Sequence, residues 1–120
     1  MATDMFHLIQ NLDKEAVISH DRFTTKVVFQ DEHIKVVLFG FAPGQQLLEH
    51  ATPMPAIIHF LRGEAKISLG QDWEEVSAGA WIHLEPTLPH SISAVTEVVM
   101  ILVQLKCGKI APTTQPVAPQ

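Results

Sequence analysis

From residue 23 to residue 105 the chain alternates apolar runs of about five to eight residues with polar, glycine- or proline-bearing breaks, the rhythm of an antiparallel all-β domain. The pattern predicts strands over residues 24–29, 34–41, 46–50, 56–61, 65–69, 74–76, 80–84, 90–94 and 98–105. The breaks carry turn chemistry. Gln30-Asp31-Glu32-His33 is a polar hairpin connection, Pro43-Gly44 and Gly70-Gln71-Asp72 supply turn residues, and Ala78-Gly79 closes another corner. Alternation within 56–61 puts Ala56, Ile58 and Phe60 on one face and Ile57, His59 and Leu61 on the other. Val98 through Val103 are apolar at consecutive positions, so this strand is expected to be covered on both faces, as in a sandwich or barrel. Residues 5–12 fit a short strand or a helical turn, and their pattern does not choose between them. Beyond residue 106 apolar periodicity stops, and a run rich in Pro, Thr and Gln reads as a flexible tail over 107–120.

A chain of 120 residues holds one core, so residues 1–106 are expected to form a single domain. Its 47% hydrophobic and 18% charged residues favour a packed globule. The net charge of -5, with no cluster of Lys or Arg, gives a phosphate backbone nothing to bind, which argues against nucleic acid as a partner. No basic region leads into an uninterrupted apolar run, and Val98 to Val103 is too short to span a bilayer. A cytoplasmic protein without membrane contact is the resulting expectation. Cys107 is the single cysteine, so neither an intrachain disulfide nor a thiolate zinc site can form. A poorly reactive free thiol is the expectation there.

Two segments, each a glycine followed by a strand and then a histidine, carry the candidate chemistry. Gly44, His50, Thr52, Ala56 and Gly63 fall on the places of the first cupin motif, which usually reads Gly, five residues, His, any, His, three or four residues, Glu, six residues, Gly. Gly79, Glu85, Thr87, His90 and Ala94 fall on those of the second, usually Gly, five residues, Pro, any, Gly, two residues, His, three residues, Asn, with a proline one step late at Pro86. Over residues 34–105 the chain therefore resembles a small single-domain bacterial cupin with degenerate metal-site motifs. The resemblance implies an all-β double-stranded β-helix, a jelly-roll barrel, in agreement with the strand pattern. It also implies that Thr52 and Ala56 stand where metal-binding members carry a second His and a Glu.

Two readings of the site follow. In the first, the barrel lumen binds a small, largely apolar molecule anchored by His50 and His90, with Met54, Trp81 and Met100, and also Phe39 or Phe41 and Ile92, as candidate walls. In the second, the chain is a metal-dependent enzyme of oxygenase or isomerase type, in which His50 and His90, with His83 as a substitute third ligand, hold iron, manganese, nickel or zinc. The resemblance leaves open a divalent transition metal or none, since two imidazoles alone leave an ion dependent on water. A purely structural domain with a filled core is a third, weaker reading. Glu49 and Glu85 are poor ligand candidates, the first because it should point away from its neighbour His50. His7, His20 and His33 read as surface residues, and His59 and His83 as half-buried strand residues. A homodimer is expected, because short barrels expose apolar sheet surface that a second copy can cover, with the N-terminal segment adding edge strands or a dimer arm.

Overall fold

A computed structural model describes residues 5–106. The nine strands fall where the apolar rhythm places them: β1 (Thr24–Gln30), β2 (Ile34–Phe41), β3 (Gln46–His50), β4 (Ala56–Arg62), β5 (Glu64–Leu69), β6 (Asp72–Ser77), β7 (Trp81–Leu84), β8 (His90–Ala94) and β9 (Val98–Leu105). All pair antiparallel. They form a five-stranded sheet in the order β1-β2-β9-β4-β7 and a four-stranded sheet in the order β3-β8-β5-β6. The chain crosses repeatedly from one sheet to the other, as a double-stranded β-helix does, although the two sheets do not close on each other.

Alternate residues of both sheets fill the space between them. Phe39, Phe41, Ile58, Phe60, Ile67, Ile92, Val98 and Met100 belong to one buried cluster, and burying such a side chain contributes about 1.5–3 kcal/mol. The inward phase of β4 is Ala56, Ile58 and Phe60, as alternation requires. A second cluster lies outside. Leu38, Val99 and Ile101 are buried on the outer face of the larger sheet beneath Leu12, Ala16 and Ile18 of the N-terminal segment. The consecutive apolar residues of β9 follow from this double cover, since even and odd positions both face protein.

Among the described residues the N-terminal segment forms no strand. It carries a 3-10 turn at Leu12–Glu15, where the Asn11 side chain accepts from the Lys14 backbone N–H. Residues 5–11 form neither the short strand nor the helical turn expected over 5–12, and the turn begins only at Leu12, where Asn11 caps it. Arg62 Nε donates to Asp13 Oδ1 at 3.0 Å, and the Thr24 hydroxyl donates to the Val17 carbonyl at 2.6 Å, fixing the segment to the sheet. Gly40 permits this approach, because a Cβ there would collide with the Val17 carbonyl oxygen. Gly63, which closes the first motif, has φ +92 and leaves no room for a Cβ against the Glu97 carbonyl oxygen. The tail expected over 107–120, with Cys107, lies outside the described residues.

Candidate functional site at the mouth of the barrel

The site is built by an irregularity in β3. Leu47 pairs with Ile92 and His50 with His90, so three steps along β3 match two along β8, and the register shifts between Leu47 and His50. Simple alternation would put residues three apart on opposite faces. The bulge absorbs the extra residue and returns His50 to the face of its partner His90, which is inward together with Ile92 and Ala94. Re-aiming a side chain beside a site is a recurrent use of bulges. The two imidazoles meet with ring centroids 4.4 Å apart and planes at 54°. His90 is buried and His50 exposed, so the pair joins the barrel interior to solvent. Leu69, paired with His90 across β5 and β8, adds an apolar neighbour.

Both rings are anchored alike. His50 Nδ1 lies 3.0 Å from the Leu48 carbonyl, and His90 Nδ1 lies 2.9 Å from the Leu88 carbonyl. A carbonyl only accepts, so each Nδ1 carries the proton and each Nε2 keeps its lone pair in the neutral ring. Burial holds the His90 pKa below its ordinary value of 6.5, and the neighbouring His50 adds to this, while the bond to Leu88 opposes it. At neutral pH the site therefore presents uncharged His90 nitrogen as an acceptor.

The mouth is framed by the loops that follow β3 and precede β8. The Thr87 N–H donates to the Thr52 carbonyl at 2.7 Å, tying them together. In the second loop the Leu88 N–H donates to the Glu85 carbonyl at 3.3 Å, and Thr87 has φ +68. Proline at the second position and positive φ at the third describe a type II turn. A β-branched residue is strained in that third place, which glycine occupies without cost. Thr87 stands at the glycine position of the second motif, and this φ is the physical reason for a glycine there.

The cupin domain profile matches residues 37–104, more than half of the sequence. The chain belongs to the cupin family. Its structure is similar to a conserved protein of unknown function from Streptococcus pyogenes, at 27% identity and TM-score 0.75, over 87% of this chain and 92% of that one. An uncharacterised conserved protein with a double-stranded β-helix domain from Klebsiella pneumoniae is 20% identical with TM-score 0.76, over 84% of this chain and 91% of that one. A cupin superfamily protein from Desulfitobacterium hafniense is 18% identical with TM-score 0.69, over 72% of this chain and 80% of that one. The last two likenesses speak for the fold alone. No curated protein sequence matches the chain.

Many cupins hold a metal, yet the donors among the described residues of this cupin do not fit a resident first-row ion, which takes three or four protein ligands. The Thr52 hydroxyl donates to the Met54 carbonyl at 3.1 Å, and Ala56 is a buried methyl. Among the described residues no group of three or more His, Cys, Asp or Glu is arranged to hold a metal. His83 does not complete the pair. It lies across from Ile57 while Leu84 lies across from Ala56, so Leu84 faces the core and His83 the outside. There His83 Nδ1 is 3.9 Å from Glu85 Oε2, both groups being exposed.

The same pairing corrects the expected walls. Trp81 lies opposite His59 and is 60% exposed on the outer face, so it lines no lumen. His59 and His83 are exposed, not half-buried. Met100, Ile92, Phe39 and Phe41 are core residues packed into the interior, and Met54 is half-buried in the loop after β3. The interior is thus filled below the histidines, and of the pair only His50 is open to solvent. Glu49 is exposed within the bulge. Two elements of the site escaped the sequence reading: the bulge itself and the carbonyls of Leu48 and Leu88.

Proposed function

We propose that this cupin domain binds a small, largely apolar molecule at the mouth of its barrel, through a hydroxyl or N–H group that donates to Nε2 of His50 and His90. The observation that carries the reading is the shared anchoring of both Nδ1 atoms on backbone carbonyls, which leaves two acceptor nitrogens on adjacent, inward-facing rings. Few polar groups set in an apolar surround is the usual composition of a small-molecule site. Exposed His50 meets the ligand first, and buried His90 holds it against Leu69 and the loops.

The test is a thermal-shift screen of a metabolite library, with hits repeated on His50→Ala and His90→Ala. A hit whose shift disappears in both variants supports the reading; hits that persist in both contradict it. Elemental mass spectrometry after incubation with iron, manganese, nickel and zinc is expected to find well under one ion per chain. Stoichiometric metal lost in the two variants would favour a metal-dependent reaction instead.

The domain also pairs with a second copy in this reading. Met5, Phe6 and Leu8 are 89%, 78% and 65% exposed, beside a groove of about 780 Å³ that they line with Val28, Phe29 and Val36 and next to the open edge of β1. Apolar surface of this kind at a sheet edge favours association. Light scattering on Phe6→Asp and Leu8→Asp should give a monomer where the parent is a dimer.

A further inference from the structure

The outer face of the four-stranded sheet lies opposite the histidine site, and its side chains take no part in it. Two rows of side chains cross this face in register. Gln46 pairs with Ser93, Ser93 with Lys66, and Lys66 with Glu75. In the next row the bulge residues Leu48 and Glu49 lie opposite Ser91, which pairs with Ser68, and Ser68 pairs with Trp73. Ser68 is buried, and its Oγ lies 2.6 Å from Ser91 Oγ, so the floor is held by its own hydrogen bond.

Apolar walls stand on both sides of this polar floor. Leu48 is 73% and Trp73 62% exposed, and at about 4.8 Å per strand the three intervals from β3 to β6 separate them by about 14 Å. Both line one depression of about 250 Å³ with Gln46, Ser91 and Ser93. A second, of about 410 Å³, shares Trp73 and Lys66 with it. Trp73 therefore lines two adjoining hollows and is exposed. Trp81 is as exposed, but it lines neither of these two hollows.

We propose that this face is a binding platform for a neutral saccharide, whose ring stacks on Trp73 while its hydroxyls bond to Gln46, Ser91, Ser93 and Lys66. A sugar presents an apolar C–H face and a rim of hydroxyls, which matches an aromatic wall beside a floor of hydroxyl and amide groups. The carboxylates of Glu49 and Glu75 beside Lys66 disfavour an anionic sugar. The inference is independent of the histidine site.

The experiment is an array of neutral oligosaccharides probed with the labelled full chain, followed by titration of the strongest hit by tryptophan fluorescence. Trp73→Ala is expected to weaken binding by about tenfold or more and Trp73→Phe by less, with Trp81→Ala and His50→Ala within about twofold of the parent. Both tryptophans are exposed, so these variants should fold, and a circular dichroism spectrum checks that they do. Failure of the parent to bind any glycan overturns the proposal. So does binding that survives Trp73→Ala, or that is lost in His50→Ala instead. A dimer that dissociates in Trp73→Ala without any response to sugar would assign the face to a second copy and also overturn it.

Discussion

Two pairs of histidines sit on neighbouring strands in this cupin, and only one of them is brought ring to ring. His50 and His90 face each other across β3 and β8, point inward and anchor Nδ1 on carbonyls. His59 and His83 lie on β4 and β7, offset diagonally because each is paired with another residue, and both are exposed. Residue type and strand adjacency are the same in both pairs. The difference is phase: β4 runs in simple alternation through His59, which turns it outward, whereas the β3 bulge turns His50 inward. Position relative to a backbone irregularity, more than the presence of imidazoles, brings one pair together and leaves the other apart on the surface.

The largest expected effect contrasts adjacent residues on the two faces of β4. Phe60→Ala removes a fully buried ring and should cost about 3–5 kcal/mol, while His59→Ala should stay within about 0.5 kcal/mol, both read from urea midpoints. Comparable losses would mean that the outer face of β4 is not the solvent face described. Deleting Glu49 comes next, since it removes the extra residue and restores alternation in β3. The deletion variant should lose the nuclear Overhauser contact between the His50 and His90 rings and the ligand-induced thermal shift together. A retained contact would show that the bulge does not aim His50.

Loop strain supplies a smaller test. Thr87→Gly relieves a positive φ that glycine adopts freely and should stabilise the fold by about 0.5–1 kcal/mol after the added chain entropy is counted; a loss of stability would mean that the threonine side chain supports the mouth. The smallest effect is in pH. The His90 pKa is lowered in the fold, chiefly by burial. Above the unfolded value near 6.5 both states are neutral and its contribution to stability is fully present. That contribution is lost as pH falls from there through the lower folded value, because the unfolded chain takes the proton first. His90→Gln should flatten this part of the stability profile, and an unchanged slope would place the dependence elsewhere.

The strands were legible in the sequence because each apolar run is short and bounded by turn residues. Four of them, β2, β3, β8 and β9, begin and end at the residues expected. The phase of β4 was equally legible, since Ala56, Ile58 and Phe60 alternate without interruption. The two glycine-led motifs pointed to His50 and His90 as the pair to watch. His83 and Trp81 were not legible, because their direction depends on the register with β4, a long-range pairing that places Leu84 across from Ala56. The bulge was hidden for a similar reason. Nothing in Leu47-Leu48-Glu49-His50 marks an extra residue until the partner strand is aligned. A hydrophobic ring such as Trp81 suggests a wall by composition, but on a strand only its phase decides which side it serves.

His50 and His90 bond Nδ1–H to backbone carbonyls and turn Nε2 away from them. Long-range proton–nitrogen correlation spectra of uniformly nitrogen-15-labelled protein at pH 7.5, assigned with single His→Gln variants, read the tautomers directly. The account predicts that His50 and His90 are both held in the Nδ1–H form, with an Overhauser contact between their rings, and that no such contact links His59 and His83. Nε2–H tautomers at His50 and His90, or no contact between their rings, would contradict it.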